Sequence, residues 1–118
     1  MNIIFGADHA ARASNKYIVL ELDTVMISPK AEPLTAYGLI DMVPLQDMDK
    51  ISSLSDLHHK LITEYKKQNW KFCENAIEHL QGAWNNELDS FYTDLHSRIQ
   101  TNKTATLDHN WTGNLIRY

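Results

Sequence analysis

The chain has 118 residues, of which 43% are hydrophobic and 22% charged, proportions typical of a globular protein that buries its own core. Its 11 basic and 15 acidic side chains give a formal net charge of −4, and this acidic balance argues against non-specific binding to nucleic acid. Cys73 is the only cysteine, which excludes an intrachain disulfide and a cysteine-rich zinc site.

The start of the chain lacks the features of a secretory or membrane segment. The stretch MNIIFGADHA has neither a basic beginning nor a long apolar run, so we expect no signal peptide. No apolar run in the chain reaches the ~18 residues that span a bilayer. We therefore expect a soluble, cytoplasmic protein without a membrane partner, and no motif in the sequence calls for a cofactor.

The first 46 residues predict strands and one short helix. Asn2–Phe5 is a short apolar run, and the alanine-rich segment Asp8–Ser14 predicts a short helix. Tyr17–Ile27 is rich in β-branched and aromatic residues with alternating polar positions, which indicates a strand, and Leu34–Val43 predicts a second. Because a short loop with two prolines joins these two strands, they should form an antiparallel hairpin.

Residues 47–100 predict three helices, because the apolar period changes there from 2 to 3.6. The first helix should end near Lys67, and Asn69 suits the N-cap of the second. Gly82 is placed to end the second helix in a left-handed conformation, and Asn85 or Asn86 should cap the third. The apolar stripe of the second helix consists of Trp70, Cys73, Ala76, Ile77, Leu80 and Trp84.

The last 18 residues predict a linker followed by a tail. Residues 101–108 are polar and poor in helix formers, whereas the tail HNWTGNLIRY carries Trp111 and further apolar side chains that should dock on the folded body. The predicted fold class is therefore α+β. A small antiparallel β-sheet from the N-terminal half should pack against a three-helix C-terminal half, in a single domain of residues 1–118.

Tyr65, Lys66, Trp70, Ala76, Arg98 and Trp111-Thr112-Gly113 form a spaced set within residues 57–113. Through this set the segment resembles the non-catalytic helical C-terminal tail of bacterial class III adenylate and guanylate cyclases. In those tails a tyrosine-basic pair is followed by a tryptophan, which Tyr65, Lys66 and Trp70 match here. The further matches are an alanine of the next helix, an arginine of the third and a "Trp-Asp-Gly" element, at Ala76, Arg98 and Trp111-Thr112-Gly113. Thr112 replaces the acid. The resemblance implies a packing or interaction module without cyclase activity.

Two sets of side chains are candidates for metal binding or acid–base chemistry. Glu21, Asp23 and Asp41 would come close if the two long strands pair, and converging carboxylates can hold a divalent cation or act as acid and base. A polar outer sheet face explains the same residues. Asp56 and His59 share a helix face but have no third ligand at a defined spacing, so the histidines are interpreted as solvated and no metal site is expected.

Lysines and aromatic residues are concentrated where the first two of the three helices predicted in residues 47–100 meet. Tyr65 and Trp70 lie among basic residues, a combination that single-stranded nucleic acids favour. The lysines concerned are Lys60, Lys66, Lys67 and Lys71. Against that interpretation stand the acidic total charge and the expected burial of Trp70 as a core anchor.

No coherent set of catalytic residues emerges, and Cys73 lies on an apolar helix face where a thiol is structural. The sequence therefore predicts a non-enzymatic protein-interaction or regulatory module. The alternatives are a metal-dependent protein using Glu21, Asp23 and Asp41, and nucleic-acid binding through the lysines. The predicted binding residues are Tyr65, Lys66, Lys67, Trp70, Lys71 and Trp111. Self-association as a homodimer is also expected, through a sheet face that carries Tyr37, Leu39 and Val43.

Overall fold

The computed structural model describes residues 2–41, 47–84, 86–105, 111–113 and 115–116. Its elements follow in the order β1 (Asn2–Phe5), α1 (Ala7–Ala13), β2 (Tyr17–Met26), β3 (Leu34–Asp41), α2 (Met48–Lys66), α3 (Trp70–Leu80), α4 (Asp89–Thr104) and β4 (Leu115–Ile116). The α+β class is confirmed, and so are the three helices of the C-terminal half. In the part of the chain described, no helix is long and apolar enough to cross a bilayer.

The chain forms two compact units. One, the sheet unit, comprises Met1–Met48 and Gly113–Tyr118, and the other, the helical unit, comprises Asp49–Thr112. The single domain predicted from the chain length stays a prediction.

The sheet unit is a four-stranded sheet with the order β1-β3-β2-β4. The predicted hairpin is confirmed, since β2 and β3 pair antiparallel from Tyr17 opposite Asp41 to Val25 opposite Leu34. β1 pairs antiparallel with the other edge of β3. Burial alternates along β3, so that one face of this strand is buried and the face carrying Tyr37 and Leu39 is half-buried. Val43, predicted on the same face, lies outside the described residues.

A β-bulge interrupts the pairing of β2 with β3. Glu21 is opposite Tyr37 and Asp23 is opposite Ala36, so two steps along β2 correspond to one step along β3. The extra residue, Leu22, is buried. Bulges shift which side chains face the core, and here Glu21 and Asp23 come opposite consecutive β3 residues that point to opposite sides of the sheet.

The helical unit buries a continuous apolar core from all three of its helices. Periodic side chains supply this core, as the sequence pattern predicts. The most deeply buried are Leu61, Cys73, Leu80, Leu88, Tyr92, Leu95 and Ile99. Trp84 is buried beside them, but Trp70 is only half-buried, so its predicted role as a fully buried anchor is wrong.

The end of the chain differs from the predicted linker. α4 continues to Thr104, which makes residues 101–104 helical rather than part of a linker. Lys103, in this last turn of α4, contacts Glu74 of α3 at 2.6 Å. Leu115–Ile116 forms β4, which pairs in parallel with Val25–Met26 of β2.

Candidate interaction site

A tight turn between α2 and α3 determines the geometry of the candidate site. Gln68 adopts φ 64°, a left-handed conformation, and its N–H donates to the carbonyl oxygen of Tyr65 at 3.0 Å. The Asn69 N–H donates to the Glu64 carbonyl oxygen at 3.0 Å. These two bonds form a Schellman motif, which satisfies the last carbonyl groups of a helix and reverses the chain. The reversal places the first residue of α3, Trp70, beside the last turn of α2.

Asn69 occupies the N-cap position of α3, as predicted, but its side chain does not cap the helix. Its carbonyl oxygen accepts the first helical bond from the Cys73 N–H at 3.1 Å. Its amide Nδ2 instead donates to Glu64 Oε2 at 3.0 Å. The side chain therefore ties the turn to α2 rather than to α3.

Three aromatic rings meet at this turn, and we call Tyr65, Trp70 and Trp111 the aromatic cluster. The ring centroids lie 5.6 Å apart for Tyr65 and Trp70, 5.5 Å for Tyr65 and Trp111, and 5.7 Å for Trp70 and Trp111. All three pairs are edge-to-face, the arrangement that the charge distribution of aromatic rings favours. The tail therefore does dock through Trp111, as the sequence predicts.

Helix α4 supports the central ring of the cluster from another side. The Arg98 guanidinium lies 5.9 Å from the Tyr65 ring centroid, within the range of a cation–π contact. Asp94 holds Arg98 through an ion pair of 2.9 Å. Asn102, one turn further on, donates to the Tyr65 hydroxyl at 3.5 Å, a long bond. Tyr65 is 5% exposed and thus the best-buried member of the cluster.

The three residues of the aromatic cluster were among the binding residues predicted from the sequence. Asn102 was not predicted as a hydrogen-bond partner of Tyr65. Arg98 entered only through the family resemblance. The signal that could have indicated both is their spacing of four residues on α4, which places them on one helix face. Nothing in the local sequence shows which ring that face contacts.

The predicted lysines lie around the aromatic cluster without closing over it. Lys66, Lys67 and Lys71 are exposed. Lys67 is 3.9 Å from Glu64, a loose surface pair. Lys60 lies 5.0 Å from the Phe72 ring centroid, so its ammonium group contacts a different aromatic side chain. The rim of the cluster is thus basic, whereas the chain as a whole is acidic.

A second polar centre lies inside the helical unit and was not predicted. Trp84 Nε1 donates to the Tyr92 hydroxyl at 3.0 Å, and His58 Nδ1 lies 2.8 Å from the same oxygen. Because an indole N–H can only donate, the Tyr92 hydroxyl accepts that bond and can donate its own proton to His58. His58 is fully buried, so its interpretation as a solvated histidine is wrong. Burial also raises the pKa of Tyr92.

Cys73 is a buried structural thiol, as predicted. Its side chain is 0% exposed, and Sγ lies 3.8 Å from the carbonyl oxygen of Leu61. Burial raises its pKa to about 12, with a further contribution from the nearby carboxylates of Glu64 and Glu74. The reactive form of cysteine is the thiolate, so this group is inert at neutral pH.

The candidate metal-binding carboxylates are not brought together. Asp41 is opposite Tyr17, which is four residues from Glu21 along β2, a separation of about 13 Å. The β-bulge further separates the directions of Glu21 and Asp23. Asp56 and His59 are both exposed on α2. Within the ranges that the structure describes, no group of three or more such side chains could hold a metal ion.

A cavity of about 510 Å³ opens between α3 and α4. Its lining residues are Glu74, Asn75, Ile77, Glu78, Gln81, Tyr92, Thr93, His96 and Ser97. Gln81 Nε2 donates to Thr93 Oγ1 at 3.2 Å, and the hydrogen bond from Lys103 lowers the pKa of Glu74. The volume lies within the range of small-molecule sites, but Lys103 already neutralises one of its carboxylates.

Comparison with protein-family models, with curated protein sequences and with solved structures finds no match to the chain. The arrangement of side chains around the aromatic cluster is therefore the basis on which a function can be argued.

Proposed function

We propose that this chain is a cytoplasmic, non-enzymatic protein-interaction or regulatory module of the kind that follows class III cyclase domains. Its interaction surface is the aromatic cluster with the exposed lysines around it. The observation that carries the proposal is the convergence of separate parts of the chain on one tyrosine. Trp70, Arg98 and Trp111 all contact the ring of Tyr65.

The same residues are those that carry the resemblance to the cyclase tails. They are scattered over 47 positions, from Tyr65 to Trp111, and a chance likeness has no reason to bring its matched positions into contact. Two further residues that match the cyclase tails, Ala76 and Gly113, also suit the structure at their positions. Ala76 is 3% exposed in the core of the helical unit, and Gly113 adopts φ 80°, which favours glycine. The exposed Thr112 is the departure from the family pattern.

The composition of this surface suits a protein partner. Tryptophan, tyrosine and arginine contribute most of the binding energy at protein interfaces, and Trp70 and Trp111 are each only half-buried. The exposed Lys66, Lys67 and Lys71 would favour an acidic surface on the partner. Nucleic-acid binding receives less support, because the three rings pack edge-to-face on one another, whereas bases stack on open ring faces.

Self-association is a further part of the proposal. A second copy would cover the half-buried face of β3 that carries Tyr37 and Leu39. A two-fold dimer is the commonest arrangement of soluble homo-oligomers.

Binding to a class III cyclase catalytic domain from the same organism tests the proposal. The chain should bind that domain and change its rate of cyclic nucleotide formation. Lys71→Glu should weaken binding about tenfold, since a charge reversal at the rim opposes an acidic partner. The matched control is Lys50→Glu, at an exposed lysine near the start of α2. Absence of binding, or equal effects of the two reversals, would contradict the proposed surface.

A further inference from the structure

β1 is an outer strand of the sheet with an open side. It pairs only with β3 among the described strands, and Asn2, Ile3 and Phe5 are exposed. Outer strands are usually protected against pairing with other chains by charged residues, proline or a bulge. The strand NIIF contains no charge and no proline, and its pairing with β3 is regular. The strand thus lacks charge, proline and a bulge, and its short length of four residues is the one such protection that it has.

The register shows which backbone groups of β1 are open. The Gly6 N–H donates to the Thr35 carbonyl oxygen at 3.0 Å, so the backbone of Gly6 faces β3. Backbone groups alternate in direction along an antiparallel strand. Ile4 therefore also faces β3, whereas the N–H and carbonyl groups of Ile3 and Phe5 point away from the sheet. Among the residues that the structure describes, only the Phe5 carbonyl has a partner there, His9 Nδ1 at 2.9 Å.

The side chains beside this edge form an exposed apolar patch. Ile3 is 50% exposed, Phe5 47% and Leu34 38%. Ile3 and Phe5 are opposite Gly38 and Ala36 of β3, and Leu34 lies two residues beyond Ala36, so all three share one face of the sheet. An exposed apolar patch next to open backbone groups is the combination that strand addition requires.

We propose that β1 pairs antiparallel with β1 of a second copy of this chain, across a two-fold axis at Ile4. In this register Ile4 is opposite Ile4 of the second copy, and Ile3 is opposite Phe5. Ile3 and Phe5 then exchange both of their outward N–H···O bonds, which gives four hydrogen bonds across the axis. The two sheets become one continuous eight-stranded sheet.

The occupant is a second copy because the edge is complementary to itself. The chosen register uses every outward group of Ile3 and Phe5. It pairs Ile3, Ile4 and Phe5 with one another across the axis and places Asn2 opposite Gly6, the residue that follows β1. It also places an aromatic ring opposite a β-branched side chain on both sides of the axis, a favourable cross-strand pair. The Phe5 carbonyl oxygen has a second lone pair, so its bond from His9 is compatible with the pairing.

The edge pairing rests on the proposed self-association but assigns it to the β1 edge instead of the β3 face that carries Tyr37 and Leu39. A single pair of short strands buries less than the ~800 Å² per partner of a stable interface. The dimer should therefore be weak, with a population that rises from micromolar to millimolar protein concentration.

Sedimentation equilibrium of the full chain tests the dimer. The mass should rise from 13.6 kDa toward twice that value as concentration increases. Ile3→Lys places a charge on the edge and should keep the chain monomeric. Ile27→Lys is the matched control, because Ile27 is 51% exposed but lies outside β1, and it should dimerise like the unchanged chain. Circular dichroism would verify that both variants are folded.

Disulfide cross-linking tests the register without relying on a loss of function. In the Ile4→Cys variant the two Cα atoms across the axis should lie about 4.5 Å apart, which permits a disulfide. In Asn2→Cys the equivalent atoms should lie about 13 Å apart, which does not. The native Cys73 is buried and should not interfere. Mild oxidation should therefore give a covalent dimer of the first variant only.

The possible results separate this inference from the proposed function. A constant mass of 13.6 kDa up to millimolar concentration would overturn both the edge pairing and self-association. A dimer that survives Ile3→Lys, or equal cross-linking of the two cysteine variants, would overturn the edge pairing and leave self-association through the Tyr37 and Leu39 face. Neither result bears on binding through the aromatic cluster.

Discussion

The helical unit and the sheet unit differ in how far their large apolar side chains are buried. Most of the buried side chains belong to the helical unit, including every deeply buried one apart from Leu20. The large hydrophobic side chains that are exposed in the described structure all lie in the sheet unit, namely Ile3, Phe5, Ile27, Leu34 and Met48. The helical unit therefore buries its apolar side chains in its own core, whereas the sheet unit leaves several large ones exposed.

The two units also differ in how they satisfy polar groups. Inside the helical unit, the buried side chains of Trp84 and His58 both hydrogen-bond to the Tyr92 hydroxyl. In the sheet unit, the outward N–H groups of Ile3 and Phe5 depend on solvent or on a partner strand. Buried polar groups are stabilising only when they are fully paired, so substitutions should have unequal effects in the two units.

The largest effect is expected from Tyr92→Phe. Removing the hydroxyl leaves the Trp84 N–H and His58 without their shared partner in a buried setting, which should cost about 2–3 kcal/mol of unfolding free energy. Tyr17→Phe, at a half-buried tyrosine of the sheet unit, is the matched control and should change stability little. Urea unfolding of both variants measures the difference. Equal losses would show that the hydroxyl of Tyr92 has no special role.

The aromatic cluster should show an intermediate effect with measurable coupling. Trp70→Ala should cost about 2 kcal/mol, less than for a fully buried tryptophan, because Trp70 is half-buried. Trp111→Ala should cost about 1–2 kcal/mol. The double variant should reveal a coupling of about 0.5–1.5 kcal/mol, the typical value for an aromatic pair in contact. Strictly additive losses would mean that the tail does not dock on Trp70 in solution.

A smaller effect of opposite sign is expected at the turn between α2 and α3. Gln68 holds φ 64° without being glycine, and a left-handed conformation costs other residues about 1 kcal/mol. Gln68→Gly should therefore stabilise the protein by up to about 1 kcal/mol. Lys67→Gly, at the adjacent position with negative φ, should destabilise it slightly. Thermal unfolding distinguishes the two, and a loss of stability in Gln68→Gly would contradict the strain.

The smallest effect is expected from removing the contact between α3 and α4, and it should depend on pH. The hydrogen bond from Lys103 lowers the pKa of Glu74. A lowered pKa contributes stability that is complete above the unfolded-state pKa of about 4.3. The contribution declines as the pH falls through the lower folded-state value. Lys103→Met should therefore reduce stability at pH 7 but hardly at pH 2. A difference that is the same at both pH values would exclude this ion pair as its cause.

Sequence reasoning succeeded where the determining pattern is local. The stripe of α3 was predicted with its buried residues because helical periodicity shows which positions share a face, and the hairpin followed from its strand composition and loop length. The Schellman turn was not predicted, because Gln68 carries no residue-type signal for a left-handed conformation. Gly82, by contrast, was expected to be left-handed and adopts φ 77°.

Apart from this local turn, the main misses involve partners that are distant in the chain. His58 meets Tyr92 across 34 positions, and Lys103 meets Glu74 across 29. β4 pairs with β2 across about 90 positions. A strand of two residues is too short for its own sequence to predict this pairing. At the candidate site, residue type indicated Tyr65, Trp70 and Trp111, but only the structure shows that they contact one another.

Amide hydrogen exchange of the full chain, measured at two protein concentrations, tests the contrast between the units most directly. The account predicts that the core amides of the helical unit, such as those of Leu80 and Tyr92, exchange slowly at both concentrations. The outward amides of Ile3 and Phe5 should exchange rapidly in dilute solution and more slowly in concentrated solution, as β1 pairs with a second copy. Slow exchange of Ile3 and Phe5 in dilute solution, or rates that do not depend on concentration, would contradict it.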